Sequence, residues 1–161
     1  GILGYGHIGR KVEESVRVFG AKSLVFSNQR KDTELFNLFT QCDILTIHLP
    51  LTEETKGLVN SELLENLKSS AFLINTSRGE IVDEKSLYDI LLQHKIAGAA
   101  LDVFWQEPLP ENSVWRKMDN VILTPHIGAS TKEALAKSTT IVLNDIQGIL
   151  QGKKPINQVN L

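Results

Sequence analysis

A single cysteine, Cys42, stands among the 161 residues, which excludes an internal disulfide and a cysteine-built metal site. No apolar run approaches the roughly 20 residues needed to span a bilayer, and no charged segment leads into an apolar one at the N-terminus. Basic charge is not in excess: 17 Lys and Arg against 19 Asp and Glu leave a formal net charge of -2. The one basic cluster, Arg30-Lys31, is short, so nothing in the charge pattern argues for a nucleic-acid partner. Repeats and low-complexity segments are absent as well. These absences lead us to expect a soluble, metal-free protein of a reducing cytoplasm, with neither membrane nor nucleic acid among its partners. Cys42 runs into Asp43-Ile44-Leu45 and reads as a small residue entering a buried strand rather than as a nucleophile.

What is present suits one globular domain, with 42% hydrophobic and 22% charged residues. Gly1-Ile2-Leu3 reads as the end of a strand, so we expect the first strand to be truncated and to continue in residues before Gly1. Val12, Val16 and Phe19 recur at helical spacing up to Gly20, and a short strand follows over 23–27. A brief helix is expected over 32–39 and a strand over 43–47, ended by Pro50. Ser61 would cap a short helix. The apolar runs 71–75, 96–103 and 121–123 read as strands, and the lack of alternation in 71–75 suggests burial on both faces. Asp83 would cap the helix carrying Leu87, Ile90 and Leu91, whereas residues 106–120 read as a long loop. A long helix from Thr131 to about Gln151 places Leu135, Val142, Ile146 and Ile149 on one stripe, with Gly152 as its stop. Strand-helix alternation of this kind predicts a doubly wound, parallel α/β sheet of Rossmann-like type. The expected division is a dinucleotide-binding domain over 1–152 and an exit segment over 153–161.

Gly4-Tyr5-Gly6-His7-Ile8-Gly9 follows an apolar strand end, opens a helix and precedes a second strand, the context that gives a GxGxxG run its meaning. Gly4 permits the tight turn, Gly6 lets a pyrophosphate approach the backbone, and Gly9 lets helix pack on strand. Free N–H groups at the helix start then face the phosphates. At the end of the second strand, where an acid commonly binds the ribose 2′-hydroxyl of NAD, the chain has Ser27-Asn28-Gln29-Arg30-Lys31. The missing acid tilts the reading from NAD towards NADP, with Ser27 and Asn28 donating hydrogen bonds and Arg30 meeting the 2′-phosphate. The alternative is that Arg30 and Lys31 only solvate the loop.

Ligands of such sheets lie beyond the carboxyl ends of the strands. Three residues there form a set: Arg78, Glu107 and His126. Arginine binds a carboxylate with two parallel bonds and polarises the neighbouring carbonyl. Histidine can deliver a proton to that carbonyl oxygen as hydride arrives, and glutamate near an imidazole favours its charged form. Together these types suit reduction of a small 2-keto acid.

The runs Ile74 to Glu80, Gly98 to Phe104 with Glu107-Pro108, and Thr124 to Gly128, together with His48 to Thr52, resemble signatures of the D-isomer-specific 2-hydroxyacid dehydrogenases. The resemblance implies Arg78, Glu107 and His126 as the catalytic residues, oxidising a D-2-hydroxy acid or reducing its keto acid. It also implies cofactor contacts from His7, Ile8, Thr76, Ser77, Asp102 and Gly128, with Arg78 and His126 near the same ligand. His48 and Pro50 would shape the adenine side, although a structural part for His48, and a strand-end cap for Asp102, stay open. A homodimer is implied through the long helices. The family's substrate domain has no counterpart in these residues, so we expect the segment alone to be weakly active or inactive. An NAD(P)-sensing, corepressor-like binding protein on the same fold is the alternative.

Overall fold

Two compact units divide the computed structural model, Gly1–Pro125 and His126–Leu161, and the structure describes residues 1–157. The division falls ahead of the long helix that the sequence reading kept within the dinucleotide-binding domain. The last residues of the expected exit segment, 158–161, lie outside the described residues.

The first unit is built on six strands: β1 (Ile2–Leu3), β2 (Val25–Phe26), β3 (Ile44–Ile47), β4 (Phe72–Asn75), β5 (Gly98–Leu101) and β6 (Val121–Leu123). They lie in the order β2-β1-β3-β4-β5-β6, every pair parallel. The order reverses between β1 and β3, which opens a crevice beyond their carboxyl ends. Four helices connect the strands: α1 (His7–Val18), α2 (Leu35–Gln41), α3 (Ser61–Leu64) and α4 (Glu84–Leu92).

Alternation along the strands sorts the sheet into two unequal faces. Leu45, Ile47, Leu73, Ala99 and Leu101 point to the face where Leu38, Phe39, Leu64, Leu87 and Leu91 of α2, α3 and α4 complete one core. Ile2 points to the other face, against α1 at Gly9. On that second face Ile44, Phe72 and Ile122 remain 52%, 49% and 69% exposed. The burial of the run 71–75 on both faces, expected from its lack of alternation, is therefore corrected at Phe72. α1 is one helix, and its own apolar stripe ends outside the core, with Phe19 88% exposed.

Local chemistry explains where the elements begin. α2 starts at Leu35 rather than Asp32, because Asp32 is drawn back to β2: its N–H donates to the Val25 carbonyl at 2.8 Å and its carboxylate accepts from the Val25 N–H at 3.1 Å. Asn60, not Ser61, caps α3, accepting from the Leu63 N–H at 3.1 Å. Asp83 caps α4 as expected, accepting from the Ser86 N–H at 2.8 Å. Within the long loop before β6 a 3₁₀ turn (Val114–Lys117) appears, anchored by the buried Trp115. Its indole stacks on Trp105, centroids 5.4 Å apart and planes 16° from parallel, and donates to Glu84 at 3.1 Å.

The second unit is dominated by α5 (Lys132–Leu150), capped by Thr131, which accepts from the Ala134 N–H at 3.0 Å. Gly152 stops the helix with a φ of 75°. The chain then returns, since the Asp145 carboxylate accepts from the N–H groups of Ile156 and Asn157. No helix among the described residues is long and apolar enough to cross a membrane.

Candidate functional site

Six strand ends deliver their following residues to one edge of the sheet. Gly4 follows β1, Ser27 follows β2, His48 follows β3, Thr76 follows β4, Asp102 follows β5 and Thr124 follows β6. At the switch point the glycine loop sits directly on the β3 loop. Gly4 has a φ of 99°, and a Cβ there would stand 2.5 Å from the His48 carbonyl oxygen. A Cβ on Gly9 would stand 2.3 Å from the Gly4 carbonyl oxygen, so the turn closes only without side chains. Gly6 differs: a Cβ would meet nothing within 4 Å. The protein leaves open space over Gly6, where α1 begins with no side-chain cap and no acid in its first turn. That is the cradle a pyrophosphate requires, and the residues present fit a dinucleotide.

Beside the cradle lies a cavity of about 420 Å³, lined by Ile8, His48, Leu49, Pro50, Leu51, Thr76, Ser77 and Arg78. Ile8 is 62% exposed, and His7 is exposed beside it. His48 is held by its own strand, with Nε2 2.9 Å from the Thr46 hydroxyl. Burial pushes its pKa below the ordinary histidine value, so the imidazole is favoured neutral.

The loop carrying Arg78 is organised by Asn75, a residue the sequence reading treated only as a strand end. Asn75 is fully buried; its Oδ1 accepts from the Ser77 N–H and hydroxyl at 3.0 and 2.9 Å, and its Nδ2 donates to the Arg78 carbonyl at 2.8 Å. A buried amide at a strand end, followed by Thr-Ser-Arg, was the available signal. Thr76 and Arg78 are left exposed, and the Arg78 guanidinium donates to the Ser77 carbonyl at 2.6 Å.

Asp102 is buried, accepts from the Thr124 hydroxyl at 2.6 Å, and donates its N–H to the Asn75 carbonyl at 3.0 Å. It ties together the ends of β4, β5 and β6. Glu107 accepts from the Phe104 N–H at 2.9 Å, folding the loop after β5 back on itself. His126, the first residue of the second unit, has a left-handed φ of 53°. Non-glycine residues adopt that conformation at a cost, and such positions cluster at functional sites. Gly128 follows it in the same unit.

The ribose position departs from expectation. Ser27 is buried and engaged locally, its hydroxyl donating to the Arg30 carbonyl at 3.1 Å and accepting from the N–H groups of Gln29 and Arg30. Its side chain therefore shapes the turn, and Asn28 remains exposed. Arg30 is likewise turned inward. Its Nε and Nη2 donate to both oxygens of Asp32 at 2.9 and 2.7 Å, and its Nη1 to the Tyr5 hydroxyl and to Glu13. Glu13 is 4% exposed and also accepts from Tyr5 and Ser23. These bonds, that of Tyr5 first, hold its pKa down at about 2. Arg30's own pKa is raised, chiefly by Asp32 and next by Glu13. Nothing in the sequence marks this network, because Glu13 is a charged residue with no apolar signal of its own, followed by the exposed Glu14.

The description "D-isomer specific 2-hydroxyacid dehydrogenase, NAD binding domain" belongs to the family model that matches residues 1–128. A glyoxylate reductase of Thermofilum pendens is 40% identical over 171 aligned positions, covering 99% of this chain and 50% of the relative. The chain thus spans about half the length of that enzyme. Among solved structures, a D-isomer-specific 2-hydroxyacid dehydrogenase of Lactobacillus delbrueckii ssp. bulgaricus in its NAD-complexed form superposes with a TM-score of 0.89 at 30% identity, covering 98% of this chain and 55% of that one. A D-isomer-specific 2-hydroxyacid dehydrogenase of Xanthobacter autotrophicus Py2, in complex with NADPH and MES, gives a TM-score of 0.86 at 34% identity, covering 99% of this chain and 69% of that one. The corepressor-like alternative finds no support in these matches.

Proposed function

Because the chain belongs to the D-isomer-specific 2-hydroxyacid dehydrogenase family, as its NAD-binding domain, we propose that the whole protein interconverts a small 2-keto acid and its D-2-hydroxy acid. The observation that carries this reading is the open cradle over Gly6 beside a cavity that Arg78 also lines. A dinucleotide bound there supplies the hydride. The α1 N–H groups would hold its phosphates, and Ile8, Pro50, Thr76 and Ser77, which line the cavity, would meet its remaining length, with Asp102 after β5 as the further contact that the resemblance implies. The exposed Arg78 guanidinium binds the substrate carboxylate and draws electron density from the adjacent carbonyl. In this reading His126, within the run Thr124 to Gly128 that resembles the family's signature, would hold the proton that the carbonyl oxygen takes up, and Glu107 would favour the charged form of that acid. Neutral His48 lines the cavity without adding charge to it.

Both NAD and NADP accompany relatives of this fold, and the missing acid after β2 favours NADP in this chain. The apolar stripe on α5, with Leu135 70% and Val142 55% exposed, suits a homodimer. A buried, unpaired Cys42 suits a reducing cytoplasm. Titration of the full-length protein with NADH and NADPH, followed by a panel of glyoxylate, hydroxypyruvate and pyruvate, tests the proposal. We expect nucleotide oxidation with at least one acid, abolished by His126→Asn; no turnover with any small 2-keto acid would overturn it.

A further inference from the structure

Two arginines flank the loop after β2, and the protein treats them in opposite ways. Arg10 and Arg30 both lie against Tyr5, their guanidinium carbons 5.4 and 5.0 Å from the ring centroid. Arg30 is neutralised by two carboxylates, at 2.7 Å from Asp32 and 3.0 Å from Glu13. Arg10 has uncharged partners: its Nε donates to the Tyr5 carbonyl at 3.3 Å and its Nη2 to the Gln29 side-chain oxygen at 2.9 Å. No ion pair found among the described residues includes Arg10.

An anion arriving at this loop would find the two cations unequal. To turn its fork towards a phosphate, Arg30 would give up its two-pronged bond to Asp32 and leave Glu13, which is 4% exposed, with only the longer ion pair, 3.4 Å, to the exposed Arg17. Breaking a buried pair by withdrawing one partner is costly, and trading carboxylates for phosphate returns no new charge neutralisation. Arg10 gives up at most two bonds to neutral groups, keeps donors of its fork unengaged, and carries its full charge. Its bond to Gln29 already holds the guanidinium over the loop in which Asn28 is exposed.

We propose that Arg10, rather than Arg30, is the residue that recognises the 2′-phosphate of NADPH, with the amides of Asn28 and Gln29 beside it. Arg30 is a latch: by joining Tyr5 of the glycine loop, Glu13 of α1 and Asp32 behind β2, it fixes the loop that Arg10 reads. This rests on the dinucleotide-binding reading above and adds the determinant of cofactor choice.

The test compares full-length wild type, Arg10→Gln and Arg30→Gln by direct titration with NADH and NADPH, each with its melting temperature. Arg10→Gln is expected to weaken NADPH about 10- to 100-fold, the range of a lost charged hydrogen bond or two, while NADH changes less than about twofold. Its melting temperature stays at the wild-type value, because the side chain is exposed. Arg30→Gln is expected to melt earlier and to weaken both nucleotides by a similar factor. Equal losses of NADH and NADPH in Arg10→Gln, or a loss confined to NADPH in Arg30→Gln, would overturn the assignment. So would wild type that binds NADH but not NADPH, which would leave the cofactor domain intact as a reading. Wild type that binds neither would remove that reading as well.

Discussion

Gly79 lies directly against the backbone of Phe104: a Cβ on Gly79 would stand 2.3 Å from the Phe104 carbonyl carbon and 2.5 Å from its oxygen. The contact joins two loops of the candidate site. Gly79 follows Arg78 after β4, while the Phe104 N–H donates to Glu107 after β5. Trp105, next in the chain, donates its indole N–H to the Val82 carbonyl at 2.7 Å and stacks on Trp115. Arg78 and Glu107 are thus held in register by packed backbone.

Replacing Gly79 by alanine should therefore act on both loops together. Overpacking of this kind costs roughly 1–3 kcal/mol, and we expect a lower urea midpoint with a fall in kcat/KM. A variant that keeps wild-type stability and activity would show that the two loops separate freely.

Gly6→Ala should behave in the opposite manner. No protein atom lies within 4 Å of the added methyl, so the fold should lose no more than the few tenths of a kcal/mol to about 1 kcal/mol of a poorer helix start. Nucleotide affinity should drop sharply, since the methyl occupies the space the pyrophosphate needs. Calorimetric titration beside a melting curve separates the two effects; unchanged affinity would move the phosphates elsewhere.

Arg78→Gln removes an exposed guanidinium that donates to its own neighbour's carbonyl. Stability and NADH affinity should stay near wild type while kcat/KM for the keto acid falls by about 100-fold or more, the scale of a lost two-pronged carboxylate contact. Arg78→Lys should recover only part of it, because an ammonium cannot offer two parallel donors. Steady-state kinetics with the preferred acid decide the matter, and a full recovery by lysine would reduce Arg78 to a simple charge.

Glu13 makes stability depend on acid pH in a definite sense. Its pKa is lowered from 4.5 to about 2, so the folded protein holds fewer protons than the unfolded chain in that interval. The stabilisation is complete above the unfolded value of 4.5 and is lost as pH falls towards about 2. Glu13→Gln should melt earlier than wild type at neutral pH, and the gap should close on acidification through that window. A gap independent of pH would mean that the Glu13 charge contributes nothing to the network.

Much of the architecture could be read in the chain because local chemistry repeats it. The strands over 44–47 and 121–123, the Asp83 cap and the Thr131 start of α5 follow from apolar runs and short polar caps that need no distant partner. The glycine loop was legible from its spacing, and Gly9 is indeed constrained by nearby Gly4, whereas the atoms that close on Gly4 belong to His48 after the neighbouring strand. Arg78 and Glu107 could be named as strand-end residues on one edge of the sheet. Asn75 could be located but not understood, because its three bonds are made only once the following turn closes on it.

Where the reading failed, distant groups had intervened. The helix expected from Asp32 begins three residues later because Val25, across the loop, captures Asp32. Phe72 and Ile44 look like core in an apolar run, yet this unit supplies no helix over them. Composition, periodicity and glycine spacing by themselves determined a parallel α/β sheet with a nucleotide cradle at its first turn, because each is written in residues close along the chain. Tertiary structure alone decided which arginine is left without a carboxylate partner. Glu13 lies 17 positions from Arg30 and Tyr5 lies 25 from it, and only folding brings the buried carboxylate and the phenol to Arg30, while Arg10, close in sequence to both Tyr5 and Glu13, has neutral hydrogen-bond partners.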